Sequence, residues 1–339
     1  MSVKKALITG IAGQDGVYLA KYLIAQGYEV HGLVRWDSDV GAFDRLSRFG
    51  RLGVSLDDVT LHIGDVCDPH NMLDLFYHIR PDAVYNLAAV SHVAVSFKTP
   101  TAAFDVISKG TLNLLEAMRR LTPRARFYQA SSSEMFGNAP SPQNEDTAMM
   151  PCSPYGIAKL SAYHLVRLYR AQYDVFAVNG ILFNHESPLR AHDFVTQKIA
   201  QGVKAISAGR QDCIALGNLN ARRDWGHARD YVRGMFMMMQ SDVPDDFVLA
   251  TGQMHSVRSF AEAAFACAGM TISWQGEGLD EVGVDDGGTV RVRVDEAFFR
   301  PQELHALCGD ASKAQRMLGW QPSYDFQVLV RDMMEGADV

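Results

Sequence analysis

Residues 5–16 read KALITGIAGQDG, an apolar run that ends in the glycines Gly10, Gly13 and Gly16. The run is typical of a buried β-strand, and the GxxGxxG spacing after it is a looser form of the GxGxxG pattern that binds dinucleotides. Glycines at this place let the chain turn sharply and let a diphosphate approach the backbone N–H groups at the start of a helix. The stretch therefore predicts the first strand, turn and helix of a dinucleotide-binding sheet, with Gln14 and Asp15 in the cofactor loop. The alternative is a tight strand–helix turn that binds no ligand.

The chain continues as an alternation of short apolar runs and helical patterns. Strands are predicted at residues 28–34, 61–63, 83–88, 126–130 and 175–183, and helices at 17–26, 111–120 and 154–173. This alternation predicts an α/β fold, a Rossmann-like doubly wound parallel sheet with helices on both faces. After residue 184 we predict helices at 195–208, 227–240, 257–269 and 310–318, a loop at 276–288 and a strand at 289–294. Residues 1–184 are thus expected to form most of the dinucleotide-binding domain, and residues 185–339 most of a smaller second domain.

The composition is that of an ordinary globular protein and excludes several classes of function. The chain has 339 residues, 47% of them hydrophobic and 21% charged, which rules out a disordered or fibrous chain. The net charge of -7 argues against a nucleic-acid-binding protein. Five scattered cysteines without a CxxC pair indicate reduced thiols, and no apolar stretch reaches transmembrane length. Because the start shows no apolar signal region, the sequence predicts a cytoplasmic protein that contacts no membrane.

Residues at the ends of the next three predicted strands extend the expected cofactor site. Arg35 follows the second strand, where an arginine favours the 2′-phosphate of NADP, although Asp37 leaves NAD as an alternative. Asp65 and Val66 follow the third strand and fit a contact on the adenine side. The fourth strand leads into residues whose small size lets a flat cofactor lie against the sheet edge, namely Leu87, Ala88, Ala89 and Ser91. A loop cap and ordinary strand packing are the alternatives for the last two stretches.

Tyr155 and Lys159 form a YxxxK pair on the long predicted helix at 154–173. A spacing of four residues places both side chains on one helix face. An ammonium near a phenol favours the phenolate and lowers its pKa, so that Tyr155 can take a proton from a sugar hydroxyl while hydride leaves to a nicotinamide. The alternative is a surface tyrosine and lysine without a role.

Serines and a glutamate follow the fifth predicted strand in the stretch SSSE at residues 131–134. Ligands bind at the carboxyl edge of a parallel sheet, where the Ser132 hydroxyl can share the substrate proton with Tyr155. Glu134 is more informative, because oxidation of an alcohol needs no carboxylate, whereas removal of a proton from the carbon next to a new ketone does. A surface salt bridge is the alternative for Glu134.

The chain resembles the extended short-chain dehydrogenase/reductases, and within them the GDP-mannose 4,6-dehydratase family, in the segments GIAGQDGVYLAKYL, RFYQASSSEMFG, SPYGIAK, NHESP and RDWGHA. The resemblance covers nearly the whole chain, and NHESP and RDWGHA are specific to this branch. It implies a discontinuous α/β substrate-binding domain, bound NADP, a GDP-linked sugar as substrate, and a homodimer or homotetramer. The implied reaction loses water without net redox change and converts GDP-mannose to its 4-keto-6-deoxy form.

The resemblance also implies roles for individual residues. Ser132 matches the family's active-site threonine with its hydroxyl retained, and Glu134 matches its base. Tyr155 and Lys159 match its catalytic tyrosine and lysine, and both also touch the cofactor. The matches near the nicotinamide half of the cofactor are His185 and Arg190. The matches that contact the nucleotide sugar, in addition to Glu134, are Ser91, Asn184, Val195, Lys198, Arg223, Arg300 and Glu303.

Some positions depart from the family pattern, and they keep other functions open. The departures are Trp36, Val90, Ala102, Ile107, Cys152, Ala191 and Gln197. The first alternative is the same dehydration of another GDP-linked sugar, such as a heptose or an amino sugar. A nucleotide-sugar reductase or epimerase, against which Glu134 argues, and a catalytically silent binding protein on the same scaffold are the others. No metal is expected at His185 and Glu186, because an HExxH pattern and a third nearby ligand are missing.

Overall fold

The structure, a computed structural model, describes residues 3–35, 41–298 and 306–336. The strands are β1 (Lys5–Thr9), β2 (Glu29–Val34), β3 (Val59–Ile63), β4 (Ala83–Asn86), β5 (Arg126–Ser132), β6 (Ala177–Leu182), β7 (Asn184–Glu186), β8 (Ile214–Leu216), β9 (Arg222–His227), β10 (Asp246–Leu249), β11 (Met254–Ser256), β12 (Ile272–Gln275), β13 (Val282–Asp285), β14 (Val290–Val294) and β15 (Ala306–Leu307). The helices are α1 (Gln14–Ala25), α2 (Gly41–Arg51), α3 (Pro69–Ile79), α4 (Val93–Lys98), α5 (Pro100–Phe104), α6 (Gly110–Leu121), α7 (Pro154–Tyr173), α8 (Val195–Ser207), α9 (Ala228–Met238), α10 (Val257–Cys267), α11 (Ser312–Leu318) and α12 (Phe326–Glu335). Within these described ranges, no helix combines the length and the apolar character that crossing a membrane requires.

The large sheet of the described residues has seven strands in the order β10-β6-β5-β4-β1-β2-β3. All of its neighbouring strands are parallel, as in the register Leu7↔His31 between β1 and β2. Because β4 lies beside β1 and not beside β3, the winding direction reverses between β1 and β4. Sheets of this kind bind ligands in the crevice at the carboxyl ends of the strands next to such a reversal.

Helices cover both faces of the large sheet. On one face α1 and α9 pack on the strands through Leu19 and Met235 in one buried cluster. On the other face α3, α6 and α7 pack on them through Phe76, Leu115 and Val166. The predicted Rossmann-like doubly wound sheet is therefore confirmed.

The chain after β7 forms two smaller sheets and also returns to the large one. β7, β9, β11 and β15 form one small sheet, and β8, β12, β13 and β14 form the other. Between them, β10 adds to the edge of the large sheet beside β6, with Val248 opposite Ile181. Helices α8, α10 and α12 enclose a core of their own through Ile199, Phe260 and Leu329. The carboxyl edge of the large sheet thus faces a second layer that is built from later parts of the chain.

The predicted loop at residues 276–288 is wrong in its middle. β13 occupies Val282–Asp285 and pairs with β12 on one side and β14 on the other. Glycines with positive φ angles form turns on both sides of β13, Gly276 and Gly278 before it and Gly288 after it. The composition of residues 276–288 does not indicate a strand as short as β13, because pairing with β12 and β14 stabilises this strand more than its own residues do. The predicted strand after it begins one residue later, at Val290.

Candidate active site

A cavity of about 730 Å³ lies at the carboxyl edge of the large sheet, where the ends of β4, β5 and β6 face the smaller sheets. It brings together most of the side chains that the sequence predicts for the site. From the first half of the chain these are Asp15, Leu87, Ala89, Ser91, Ser132, Glu134, Tyr155 and Lys159. From the second half they are Asn184, His185, Arg190, Val195, Lys198 and Arg223.

The other predicted residues do not line this cavity. Arg35, Asp65 and Val66 follow β2 and β3, at the same edge of the sheet but farther along it. Four more of the predicted residues lie in the turn from β1 into α1, namely Gly10, Gly13, Gln14 and Gly16. The backbone of Ala88 packs against this turn at Gly10. The residues that lie outside the described part of the chain are Trp36, Asp37, Arg300 and Glu303.

The turn between β1 and α1 requires its glycines for steric reasons. Gly10 has a φ of 68°, and a Cβ there would lie 3.0 Å from the backbone of Leu87 and Ala88. A Cβ on Gly16 would lie 2.4 Å from the carbonyl oxygen of Ile11. Gly13 precedes α1 and, without a side chain, does not cap it. The start of α1 is therefore open to an anion, which fits the diphosphate of a dinucleotide.

Tyr155 is held at the start of α7 by hydrogen bonds to the helix backbone. Ser153 caps the helix and accepts the Gly156 N–H at 3.0 Å. Ser96, on α4, accepts the Tyr155 N–H at 3.2 Å. The Tyr155 side chain itself packs in a small apolar cluster with Ile107. The N–H groups of Tyr155 and Gly156, two of those that a helix start leaves unsatisfied, therefore have side-chain acceptors, which fixes the backbone position of Tyr155.

The Tyr155 phenol does not have the lowered pKa that the YxxxK pattern predicts. Burial raises the pKa of Tyr155 to about 12, against a hydrogen bond from Ser132 that lowers it, while the Glu134 carboxylate adds to the rise. The Lys159 ammonium lies 5.6 Å from the centre of the Tyr155 ring. The expectation of a lowered pKa is wrong, because desolvation of the phenolate by burial outweighs the attraction of Arg190.

Lys159 is buried and lines the cavity. Its Nζ donates a hydrogen bond of 2.6 Å to the carbonyl oxygen of Ala130 on β5. Burial lowers the pKa of Lys159 to about 8, against the attraction of Asp15, which raises it. At pH 7 the side chain is therefore still mostly an ammonium, although burial makes its proton easier to lose.

Ser132 and Glu134 lie where β5 ends in a short 3-10 helix, Ser133–Met135. The Ser132 Oγ accepts the Glu134 N–H at 3.2 Å, so the serine caps this turn. Ser132 is buried, while Glu134 is half-buried and borders the cavity. The same cavity is therefore bordered by the Ser132 hydroxyl, the Glu134 carboxylate and the Tyr155 phenol.

Basic side chains line the part of the cavity formed by the second half of the chain. Arg223 on β9 is buried and donates to the Arg222 carbonyl oxygen at 2.8 Å. Lys198 on α8 has its Nζ 3.1 Å from the centre of the Phe298 ring. Burial lowers the pKa of Lys198, against the opposing attraction of Asp295. Two cations and an aromatic ring that line the same cavity provide a surface for an anionic nucleotide.

Sequence reasoning missed two cavity residues that organise their neighbours. The buried Glu186 accepts a hydrogen bond of 2.7 Å from Thr196 and pairs with Arg190 Nε at 3.0 Å. His92 pairs with Asp193 across 3.7 Å at a half-buried position. For Glu186 the signal was the motif NHESP itself, whose carboxylate lies beside two residues that the resemblance places in the site. Among the described residues, no group of three or more metal-ligating side chains is found.

Comparisons with known proteins agree with this architecture. A family model described as GDP-mannose 4,6 dehydratase matches residues 7–333. A GDP-mannose 4,6 dehydratase of Cricetulus griseus is 48% identical over 342 residues, which cover 99% of this chain and 91% of the relative. A GDP-mannose 4,6-dehydratase of Sinorhizobium fredii is 50% identical over 339 residues, which cover 98% of this chain and 95% of the relative.

The fold is also shared with more distant proteins. The crystal structure of UDP-glucose 4-epimerase of Thermus thermophilus in complex with NAD has a TM-score of 0.79 at 23% identity and covers 98% of both chains. At that identity the likeness concerns the fold alone. The match over nearly the whole length and the identities close to one half decide the family, and they confirm the resemblance seen in the sequence: this chain belongs to the GDP-mannose 4,6-dehydratase family.

Proposed function

We propose that this chain is a GDP-mannose 4,6-dehydratase, a lyase that converts GDP-mannose to GDP-4-keto-6-deoxymannose with NADP as cofactor. The observation that carries the proposal is that Ser132, Glu134, Tyr155 and Lys159 line one cavity together with the basic residue Arg223. Relatives that bear this enzyme's name and align with nearly the whole chain support the choice of substrate.

The cofactor proposed for this chain is held at the turn from β1 into α1. The three glycines of the turn leave room for its diphosphate, and the small residues after β4 border the same crevice. Arg35 at the end of β2 favours NADP, and Asp65 and Val66 follow β3 on the adenine side. The distant epimerase with bound NAD has the same fold, which supports a nicotinamide cofactor. The chemistry that a bound nicotinamide supplies is acceptance of hydride from C4 of the sugar and its later return to C6.

Tyr155 is the proposed base for the C4 hydroxyl. Its Oη takes the hydroxyl proton, and the Ser132 hydroxyl, which already shares a hydrogen bond with Tyr155, orients the same proton. Because burial opposes the phenolate, Tyr155 depends on the positive charge of Lys159 one helical turn away. The hydrogen bond from Lys159 to Ala130 holds the ammonium where it is, 5.6 Å from the centre of the Tyr155 ring.

Glu134 is the proposed base for the elimination step. A ketone at C4 acidifies the proton on C5, and the Glu134 carboxylate removes that proton while water leaves from C6. Glu134 passes this proton to the departing C6 hydroxyl, which leaves as water, and because the side chain borders the cavity and is only half-buried, it can take up a proton from solvent and deliver it to C5. General-base catalysis of this kind contributes about 10²- to 10⁴-fold in rate.

The sugar nucleotide is proposed to bind along the second half of the cavity. Ser91 and Asn184 border the catalytic end, and Val195, Lys198 and Arg223 border the basic end. The guanidinium of an arginine suits a diphosphate, because it donates parallel hydrogen bonds. Contacts to the GDP moiety from Arg300 and Glu303, which lie outside the described residues, are part of the same proposal.

We also propose a homodimer or homotetramer in the cytoplasm. Phe104, Leu112, Ile157 and Leu168 expose apolar side chains on the helices from 100 to 121 and on α7. The family resemblance assigns these helices to the contact with a second copy of the chain. All five cysteines are free thiols, which suits a reducing compartment.

The experiment that tests the function is incubation of the purified protein with GDP-mannose and a catalytic amount of NADP+, followed by mass spectrometry. We expect the sugar nucleotide to lose one water without net formation of NADPH. A product that is heavier by two hydrogens and forms only with net consumption of added NADPH, or an epimer of unchanged mass that keeps its 6-hydroxyl, would replace the proposal with the reductase or epimerase alternative. A panel of GDP-linked sugars in which mannose does not have the highest kcat/KM would move the substrate to another sugar.

A further inference from the structure

Asp15 and His185 are 170 residues apart in sequence and form a pair inside the cavity wall. The His185 Nε2 lies 2.8 Å from the Asp15 Oδ2, which joins the first turn of α1 to β7. Both residues border the cavity, and the His185 ring stacks on Tyr231 of α9 with ring centres 4.3 Å apart. The pair therefore connects the cofactor loop to the layer of the second half of the chain.

The partners of both side chains define their charge. The His185 Nδ1 lies 2.8 Å from the carbonyl oxygen of Phe183, which only accepts, so Nδ1 carries a proton. The Asp15 Oδ1 accepts a hydrogen bond of 3.0 Å from the Gln14 amide, whose orientation Ser187 sets by donating to its oxygen at 2.9 Å. Asp15 also lies in the first turn of α1, where the helix dipole favours an anion. An ionised Asp15 facing Nε2 requires a second proton on His185, which makes the ring an imidazolium.

The pKa shifts of the two groups agree with this assignment. Burial opposes the charge on each of them, but their mutual attraction outweighs it. The pKa of His185 is raised, against the effect of burial, by the Asp15 charge and the hydrogen bonds to Asp15 and Phe183. The pKa of Asp15 is lowered, again against burial, by His185 and Gln14. The charged or titratable groups that act on the pair from other elements are Tyr128, Tyr155, Lys159, Arg190 and Tyr231.

A second buried pair in the same chain shows that such a contact does not by itself require a charged histidine. The His227 Nε2 also lies 2.8 Å from a carboxylate oxygen, that of Asp332. The His227 Nδ1, however, accepts the backbone N–H of Arg229 at 3.1 Å. One ring proton satisfies all partners of His227, whereas His185 needs two.

The position of Asp15 explains why its charge needs compensation. A carboxylate in the first turn of α1 repels any anion that approaches the open start of that helix. Arg190 supplies less compensation, because its own charge pairs with Glu186 at 3.0 Å. We propose that His185 is a positioning residue that neutralises Asp15 through a fixed ion pair, so that the start of α1 accepts the diphosphate of a dinucleotide. The inference rests on the proposed placement of the cofactor at the glycine turn. In it, His185 affects cofactor binding through the charge of Asp15.

The first test is a cycle of variants measured by NADPH binding, which needs no turnover. In His185→Gln the carboxylate of Asp15 stays without its counter-charge, and we expect the Kd for NADPH to rise about tenfold or more. The double variant His185→Gln with Asp15→Asn removes both charges, and we expect it to recover most of that loss. A double variant that binds no better than His185→Gln overturns the proposal. Thermal unfolding of each variant separates weak binding from loss of the fold.

The second test reads the charge on the histidine directly. With ¹⁵N-labelled histidine, NMR of the whole protein at pH 7 should show both ring nitrogens of His185 protonated and one of His227, with assignments from His185→Gln and His227→Gln. Asp332→Asn is the matched control, since it breaks a buried pair of equal length outside the cavity, and we expect its Kd for NADPH to stay within about twofold of wild type. A neutral His185 in the wild type overturns the proposal. If the wild type has no dehydratase activity but the NADPH Kd values of the variants change as expected, the proposed function is contradicted and the role of His185 is still supported.

Discussion

Ser96 Oγ accepts the backbone N–H of Tyr155 at 3.2 Å, a contact between α4 and the first turn of α7. The same hydroxyl donates to the carbonyl oxygen of Val93 at 2.6 Å, and Val93 borders the cavity. One fully buried hydroxyl thus joins a segment of the cavity wall to the residue proposed as the catalytic base. The backbone position of Tyr155 therefore depends on how α4 packs against α7.

Ser96→Ala is therefore expected to lower kcat more than it changes KM. The variant leaves the Tyr155 N–H buried without an acceptor, which costs about 1–3 kcal/mol of stability. Ser108→Ala is the matched control, because Ser108 makes one hydrogen bond to α7 at a residue other than Tyr155, donating to the carbonyl oxygen of Ala158 at 3.1 Å. Steady-state kinetics and thermal unfolding of both variants check the prediction. Equal losses of kcat in the two variants would mean that Ser96 only stabilises α7 and does not specifically position Tyr155.

Lys159→Met is expected to abolish turnover and to stabilise the fold at neutral pH. The pKa of Lys159 is about 8 in the folded chain against an ordinary value of 10.5, so the unfolded chain binds this proton more tightly. Wild type is then penalised in full at pH 7 and gains stability as the pH rises from about 8 to about 10.5. After the loss of the hydrogen bond to Ala130, a net gain of about 1–3 kcal/mol remains at pH 7.

Urea unfolding of wild type and Lys159→Met at pH 7 and at pH 10 measures this difference. The advantage of the variant should shrink at the higher pH, because wild-type Lys159 has by then lost its proton in the folded chain. A variant that is less stable at pH 7, or an advantage that grows with pH, would contradict the buried ammonium.

Glu134→Gln is expected to stop the reaction after hydride transfer. The amide keeps the size of the side chain but does not take the C5 proton, and we expect kcat to fall by about 10²- to 10⁴-fold. Rapid-mixing absorbance should still show reduced nicotinamide in a single turnover, because Tyr155 and Ser132 are intact. Incubation in D₂O offers the control: wild type should place deuterium at C5 of the product, and the variant should not. Normal water loss in the variant would assign the base to another group.

Arg223→Ala is expected to raise the KM for the GDP-linked sugar about 10- to 100-fold. This is the change in KM that follows from the loss of a charge-assisted hydrogen bond of about 1.5–3 kcal/mol. Its neighbour Arg222 is exposed and does not border the cavity, so Arg222→Ala removes the same charge one residue away. Steady-state kinetics with GDP-mannose compare the two, and Arg223→Lys tests the need for the planar fork of donors. A similar KM in both alanine variants would place the diphosphate elsewhere.

The parts of the site that were predictable from the sequence are those made by neighbours in the chain. The turn at Gly10 depends on a local φ angle, and the face shared by Tyr155 and Lys159 depends on helix periodicity. The helix α3 was predictable in the same way and was missed, since Asp68 caps it at 2.9 Å from the His70 N–H and Pro69 follows. β13 was not predictable, because its pairing with β12 and β14 stabilises it.

The sequence by itself determined the family, the doubly wound sheet and the candidate residues, because glycine conformation, helix spacing and strand alternation act over a few residues. Only the tertiary structure decided how those residues behave. The contact of Ser96 with Tyr155 spans 59 residues and that of Asp15 with His185 spans 170. The raised pKa of Tyr155 and the lowered pKa of Lys159 arise mainly from burial. Burial and long-range hydrogen bonds depend on which segments pack together, and no local pattern contains that information.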